Sequence, residues 1–496
     1  MTHEVIAAVD LGSNSFRLQV GRIVDNQIYL MDGLKEPVRL AAGLTEDKAL
    51  DAASWQRGLT ALSRFGERLR DFDPGAVRAV ATNTLRVATN AAEFLRQGEA
   101  ALGFPIEVIA GREEARLIYL GVVHTLAQPD KRQLVVDIGG GSTEFIIGQD
   151  GQAILLDSLY MGCVSYSMKY FPNARVDKRS FKEAELAARR ELQSLVHAYR
   201  DAGWDEAIGS SGTAKALSEL FELNDYSDDG ITGAGLERLR AELLRVGDAA
   251  QLRLQGLRPD RVHVLPGGLA IMSAIFKEFG LERMHFSEGA LRLGVLYDQL
   301  DRYHHEDLRE ATVKRFMQRY DVDARHAARV ARTARDLLLQ LTPHAAHDDH
   351  PEMQRLLWAA HLHEVGISVA HSGYRRHSAY ILGNADMPGF SRQDQGKLSR
   401  LVAMHRGKLD RLAELQNETD EILLISLRLA VLLNRARDAQ PLPPLRLAAH
   451  ARGYAVEIGA SWLESLPLTA SALEEEARQW AAVGRELLLS PSGAAV

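Results

Sequence analysis

The chain has 496 residues, 46% of them hydrophobic and 25% charged, the profile of an ordinary soluble protein of three or four domains. Its formal net charge of −7 excludes wholesale nucleic-acid binding, so a polyanion would need a local basic channel. Cys163 is the only cysteine, no apolar run is long enough to span a membrane, and Met1-Thr2-His3-Glu4 is not a signal peptide; a reducing, cytoplasmic setting is expected.

Val5 to Val9 and Phe16 to Val24 read as strands around the turn Asp10-Leu11-Gly12-Ser13-Asn14-Ser15-Phe16-Arg17. Helices follow at Ala52 to Phe72 and Ala91 to Leu102, with a strand at Val77 to Ala81 between them. The strand Ile106 to Ala110 leads through Gly111 into a helix over Glu113 to Thr125. Leu134 to Val136 and Phe145 to Ile147 then flank Asp137-Ile138-Gly139-Gly140-Gly141-Ser142-Thr143-Glu144, an echo of the first turn, and Gly148 answers Gly21. Helices are expected at Phe181 to Ala202 and Gly235 to Leu244. Gly209-Ser210-Ser211-Gly212-Thr213 and Pro266-Gly267-Gly268 read as turns. From about Arg302 to Arg437 the period is helical. Pro441 to Pro444 is a linker, Leu445 to Ile458 alternates like a hairpin, Ala472 to Leu489 reads as a helix, and the tail from Ser490 frays.

One glycine hairpin is ordinary turn chemistry. Two copies with matching flanks need a further reason, because Asp is disfavoured at the end of an apolar strand. Glycine turns free backbone N–H groups to face an anion, so the pair reads as a phosphate clamp between two related lobes. Asp10, Asp137 and Glu144 suit a divalent cation that shares the site with phosphate. In the helix after Gly111, Glu114 shares a face with Leu117 and Ile118 and leans inward, whereas Glu113 shares a face with Arg116 and is expected to stay solvated. Glu114 is therefore the candidate base for a water; first-turn dipole compensation is the competing reading of the pair. Arg39 and Arg86 are candidates for phosphoryl oxygens, with surface ion pairing as the alternative. Cys163 reads as a small buried residue.

Asp10 to Arg17, Gly111 to Arg116, Asp137 to Glu144, Met161-Gly162-Cys163-Val164-Ser165, Ser211-Gly212-Thr213 and Glu288-Gly289-Ala290-Leu291-Arg292 together resemble the exopolyphosphatase/guanosine pentaphosphate phosphohydrolase family. The resemblance covers essentially the whole chain. It implies an α/β fold of two actin-like (ribonuclease H-like) lobes, 1–118 and 119–303, then an all-α HD-like domain, 304–437, and a small α+β domain, 438–496. It implies Glu114 as catalytic base, Asp137 and Glu144 as cation ligands, and Asn14, Gly139 and Ser142 in the phosphate loops. The residues themselves add Asp10 as a candidate third member of the cation shell and Gly12, Ser13, Ser15, Gly140, Gly141, Ser211, Gly212 and Thr213 as candidate phosphate-binding positions. The expected cation is Mg²⁺, with Mn²⁺ as the alternative and K⁺ as an activator to consider. The implied activity is processive removal of terminal phosphate from inorganic polyphosphate. The first alternative is removal of the terminal phosphate of guanosine pentaphosphate (pppGpp). A same-fold kinase or chaperone-type ATPase and a non-catalytic sensor are further alternatives. The second loop and the stretch His371 to Tyr380 favour the polyphosphate branch. A cytoplasmic homodimer is implied, with peripheral association at the inner membrane face as an alternative location.

In the helical region His326, His363-Glu364 and Asn434 follow the order of an HD-type metal phosphohydrolase, with Glu and Asn where Asp would stand. These changes alter ligand charge and length, so a metal-free scaffold is expected. Arg375, Arg376, His377, His405 and Arg406 are expected to line a route for the polyphosphate chain.

Overall fold

The repeated motif lies in two β-sheets built to one plan. The first has the order β3-β2-β1-β4-β5, from β1 (Val5–Leu11), β2 (Phe16–Val24), β3 (Gln27–Glu36), β4 (Val77–Ala81) and β5 (Ile106–Val108). The second has the order β10-β11-β9-β6-β7-β8, from β6 (Gln133–Ile138), β7 (Thr143–Gln149), β8 (Gln152–Leu159), β9 (Glu206–Ser210), β10 (Ile231–Thr232) and β11 (Arg283–Phe286). In each sheet the motif hairpin is antiparallel, and its first strand pairs in parallel with the next βα strand: β1 with β4, β6 with β9. In this computed structural model, which describes residues 4–24, 27–126, 130–303, 308–347, 350–415, 417–437 and 441–492, both sheets belong to one compact unit, Met1–Asp307; Leu308–Val496 forms a second.

The central strands are buried on both faces, as parallel-sheet strands are. Ala7, Val9 and Leu11 of β1 join one core, while Ile6 and Ala8 face another with Val80, Val135, Ile146 and Ile208. That second core lies between the sheets and is filled by the helices Gly111–Val123 and Leu291–Tyr303. The two helices cross closely because Gly121 and Gly294 meet there. A Cβ on Gly294 would run into the Leu117 carbonyl, and one on Gly121 into that of Ala290. Leu291–Tyr303, expected with the second lobe, thus packs on β1 and seals the space between the sheets.

Three further expectations need correction. The stretch Phe181 to Ala202 breaks into Lys178–Leu192 and Val196–Ala202. Pro266-Gly267-Gly268 is the first turn of a helix, Leu265–Phe279. Proline is tolerated at a helix start, and the glycines pack against the Cys163 carbonyl and the Thr213 side chain. The C-terminal helix spans Pro467–Ala481 and yields, at Gly484 with φ 76°, to a strand.

In the second unit, helices run from Leu308 to Leu433, followed by β12 (Leu445–His450), β13 (Gly453–Gly459) and β14 (Glu486–Ser492) in one sheet. Among the described residues the C-terminal segment shares its core with the helices: Leu447, Tyr454, Val456, Trp480 and Leu487 pack with Leu423, Leu427 and Ala430. The buried Arg428 guanidinium grips Glu476 (Nη2–Oε2 2.7 Å), which also accepts from Trp480 Nε1 at 2.8 Å. Residues 493–496, part of the expected frayed tail, lie outside the described residues. Among the described residues no helix is long and apolar enough to cross a membrane.

Candidate active site

The register of the two hairpins fixes the chemistry of the cleft. Asp10 stands opposite Arg17 across β1 and β2; Asp137 stands opposite Glu144 across β6 and β7. The turns following Asp10 and Asp137 are held from behind. Ser13 and Asn14 carbonyls accept from Ala41 N (2.9 Å) and Arg39 N (2.7 Å); Gly139 and Gly140 carbonyls accept from Cys163 N (2.9 Å) and Val164 N (3.0 Å). In a trans peptide the following N–H points the opposite way. The N–H groups of Asn14, Ser15, Gly140 and Gly141 therefore turn away from those supports. Gly162 must be bare, since a Cβ there would run into the Gly140 carbonyl, and a Cβ on Gly140 would stand 3.0 Å from Ser13 Cβ of the opposite turn. Ser211 Oγ and Thr213 Oγ1 both donate to the Ile138 carbonyl at 3.0 Å, tying the second turn to the helix Ser211–Leu223. Ser211 has a φ of 70°, a strained conformation of the kind found at functional turns.

A cleft of about 190 Å³ is lined by Asp10, Gly12, Ser13, Asn14, Ser15, Glu114, Asp137, Gly139, Gly140, Ser142, Ser211 and Gly212. Glu144 sits behind it, 1% exposed, with Oε1 accepting from Ser158 Oγ at 2.8 Å. Gly141 and Thr213 support the wall. Cys163 also borders the cleft, and burial pushes its thiol up, so it is no nucleophile as it stands.

The electrostatics divide the cleft in two. Burial, opposed by Arg292 and Arg17, raises Asp10 to about 6. Burial, with Glu114 and Asp10 adding to it against hydrogen bonds from Ser211 and Ser210, raises Asp137 to about 7. Burial raises Glu144 well above the carboxylate range, and Glu114 and Asp137 add to it. Asp10 Oδ1 and Glu144 Oε2 are buried without a hydrogen-bond partner. Unpaired buried carboxylates are costly, and this donor set fits a hard divalent cation. Arg17, Lys215, Arg261 and Arg292 also line the cleft. Burial, reinforced by Arg292, lowers Arg17 to about 10, the mark of crowded cations awaiting an anion. These four residues carried no role in the sequence reading, although Arg17 and Arg292 fall inside its motifs.

Glu114 lies in the first turn of Gly111–Val123, where Arg86 Nη1 donates to its Oε2 at 2.7 Å and to the Ile109 carbonyl at 3.0 Å. Arg86 is thus committed to the base candidate and does not line the cleft. Arg39 turns to a neighbouring cavity beside Asn14 and His263. Glu113 is not solvated: it is 4% exposed and held by Arg116 (Nη2–Oε1 2.8 Å), which also binds Asp298 of Leu291–Tyr303. Asp298 in turn accepts from the buried Arg78, so Glu113 ends in a closed charge network that its own helix could not reveal.

In the second unit one residue expected on the polymer route, His405, is buried. His405 is 0% exposed, with Nδ1 on the Val402 carbonyl and Nε2 3.1 Å from Tyr374 Oη. Arg375 donates to the carbonyls of Ala403 and Arg406 and closes the end of the helix Arg392–Met404. His405 cannot line a surface route, whereas Arg375 is half-buried. Arg376 and Arg406 are exposed and His377 is half-buried. Asn434 is turned away from His326 and His363, its amide donating to Thr333 Oγ1 (3.0 Å) and the Ala430 carbonyl.

Residues 19–303 match the Ppx/GppA phosphatase family, and residues 308–477 match domain III of that family. The chain belongs to the Ppx/GppA phosphatase family. Its similar relatives include the guanosine-5'-triphosphate,3'-diphosphate pyrophosphatases of Vibrio campbellii, 39% identical with 96% of each chain covered, and of Vibrio vulnificus, 38% identical with 97% of each covered. Among solved structures, the Aquifex aeolicus member of the Ppx/GppA family is similar at 25% identity and a TM-score of 0.51, over 61% of this chain and 99% of its own. An exopolyphosphatase from Cytophaga hutchinsonii has the same fold, with a TM-score of 0.55 at 24% identity, over 60% of this chain and 98% of its own. The α/β unit accordingly has the actin-like fold of the Ppx/GppA family.

Proposed function

We propose that this chain hydrolyses the terminal phosphoanhydride bond of inorganic polyphosphate, with the triphosphate end of pppGpp as its second substrate. The observation that carries the reading is the divided cleft: the half-buried Asp10 and the buried Asp137, with the buried Glu144 behind them, lie with Arg17, Arg261, Arg292 and Lys215 around paired Gly/Ser turns. An anhydride-linked polyanion satisfies the cationic side, and a divalent cation satisfies the carboxylates. Asp137, Glu144 and Asp10 would hold Mg²⁺ or Mn²⁺, which when bound neutralises phosphoryl oxygens.

The chain's own residues do the rest. The turn N–H groups and Ser13, Ser142 and Ser211 orient the terminal phosphoryl group, while Arg17, Arg261 and Arg292 bind the oxygens of the leaving chain. Arg86 fixes one carboxylate oxygen of Glu114 and leaves the other for a water, which it aligns and deprotonates as the water attacks phosphorus and the bridging P–O bond breaks. The second substrate is favoured by the 39% identity to pppGpp pyrophosphatases along nearly the full chain. Support for an HD-like scaffold in 304–437, for a homodimer and for a cytoplasmic location comes from the family resemblance. Activation by K⁺ belongs to the same reading.

Phosphate release from long polyphosphate, pppGpp and ATP, measured side by side with and without Mg²⁺, tests it. The expected result is Mg²⁺-dependent release from the first two and little from ATP. Release from ATP alone would overturn the proposal.

A further inference from the structure

The second unit holds a cluster of metal-ligating side chains with no part in the cleft. His326 lies in the helix Ala324–Leu341, His363 ends the helix Pro351–Leu362, and Glu364 follows it. They are 3%, 0% and 8% exposed. Nε2 of each imidazole lies 4.0 Å from Glu364 Oε1, and one ligand atom from each of the three residues falls within 4.8 Å of the others.

The hydrogen bonding decides what the cluster offers. His363 Nδ1 is 2.8 Å from the Ala360 carbonyl. A carbonyl only accepts, so Nδ1 carries the proton and Nε2 presents a lone pair. That Nε2 is buried without a hydrogen-bond partner, as is His326 Nδ1. A lone pair facing a carboxylate oxygen is two acceptors turned on each other, an arrangement that a cation between them relieves. A ring N–H anchored on a backbone carbonyl is also the usual support of a metal-binding histidine. The neighbouring His405 does not compete, since both its nitrogens are engaged.

The present counter-charge comes from Arg437, whose guanidinium binds Glu364 and reaches Asp323 Oδ2 at 3.4 Å. Its side chain is 43% exposed and can leave into solvent.

We propose that His326, His363 and Glu364 form a binding site for a divalent transition metal of the zinc class, with Arg437 as its built-in competitor. Two neutral imidazoles and one carboxylate form a mixed N/O set that suits Zn²⁺ or Co²⁺ and disfavours Mg²⁺, which keeps to oxygen. Metal–ligand bonds of about 2.0–2.2 Å ask the three atoms to draw together by roughly half an ångström, which side-chain rotation supplies. The site is separate from the cation site proposed for the cleft, so the two fail independently.

The test uses the full-length chain, stripped with chelator and dialysed against Zn²⁺ in excess Mg²⁺, with metal measured by elemental analysis. Co²⁺ serves as a spectroscopic probe of imidazole ligation. One Zn²⁺ per chain is expected, with d–d bands for the Co²⁺ form. Arg437→Ala should tighten binding about tenfold, while His326→Gln and Glu364→Gln should each weaken it by about 10- to 100-fold. Circular dichroism checks that each variant folds, and His363→Gln replaces any that does not. Substoichiometric metal in both wild type and Arg437→Ala would overturn the proposal. So would zinc retention indifferent to His326→Gln and Glu364→Gln, which would make the ion adventitious.

Discussion

The two motif hairpins share backbone, register and flanking strands, yet they differ in charge at one cross-strand position. In the first, Asp10 faces Arg17 and its parallel neighbour is Val80; in the second, Asp137 faces Glu144 and its parallel neighbour is Ser210. The consequence is electrostatic. Arg17, with Arg292, partly compensates Asp10, which rises only to about 6. Asp137 meets further carboxylates and rises to about 7 despite its serine hydrogen bonds. Duplication thus supplies two equivalent Gly/Ser turns, and divergence at one cross-strand position gives Asp10 a cationic neighbour and Asp137 an anionic one, the asymmetry on which the proposed division of labour rests.

The largest expected effect comes from the group both hairpins serve. Glu114→Gln keeps the size and the Arg86 contact but removes basicity. We expect kcat to fall by roughly 10² to 10⁴ with substrate binding retained, measured by single-turnover phosphate release. Next comes the direct attack on the asymmetry. Arg17→Glu gives the first hairpin the charge of the second, so KM for polyphosphate should rise by about 10- to 100-fold, the worth of a lost charge-assisted hydrogen bond. An unchanged KM would mean that Arg17 merely balances Asp10. The reciprocal change, Asp137→Asn, should weaken the cation half: the Mg²⁺ requirement shifts upward and excess Mg²⁺ restores part of the rate. Superimposable Mg²⁺ titrations would remove Asp137 from the ligand set.

Glu113 supplies the control, one residue from Glu114 on the same helix. Its carboxylate is compensated by Arg116, whereas Glu114 faces the cleft. Glu113→Gln breaks a buried ion-pair network, so it should cost about 3–5 kcal/mol of stability in denaturant titration while activity per folded molecule is kept. A loss of turnover without loss of stability would show that the network reaches the chemistry.

What the sequence could disclose follows from the range of each interaction. The duplicated turns are written in local residues, and so are β2 and the hairpin β12–β13, whose alternation matches the observed strands, while β4 is a short apolar run buried throughout. The inward phase of Glu114 is legible from Leu117 and Ile118. The burial of Glu113 is not, because Asp298 lies 185 positions onward in the chain. Pro266-Gly267-Gly268 carries the composition of a turn, but its glycines answer to Cys163 and Thr213, distant partners that require bare backbone in a helix. His405 looks like a surface cation for the same reason: the Val402 carbonyl and the Tyr374 hydroxyl that engage it come together only at folded helix ends. Arg261 stands alone in a polar stretch, and nothing local distinguishes it from a solvated arginine. The last helix reads as continuing to Leu489, but beyond Gly484 Leu487 is buried and Leu488 exposed, the alternation of the seven-residue strand Glu486–Ser492.

The smallest expected effect is also the most diagnostic of how the halves differ, because it needs no mutation. Asp10 and Asp137 have folded values of about 6 and about 7, above the ordinary 3.8. In metal-free protein the folded state therefore keeps protons that the unfolded chain has already released, and stability falls as pH rises from about 4 to about 7. A divalent cation replaces those protons, so its stabilisation should grow over the same window. Thermal unfolding in chelator and in excess Mg²⁺, from about pH 5 to about pH 8, should give two curves that diverge with rising pH. Asp137→Asn removes one of the raised carboxylates and leaves Asp10 and Glu144, so the remaining divergence should shrink. A gap that is constant with pH in the wild type would mean that the carboxylates are already charged and compensated without metal. The two hairpins would then differ in sequence but not in what they bind.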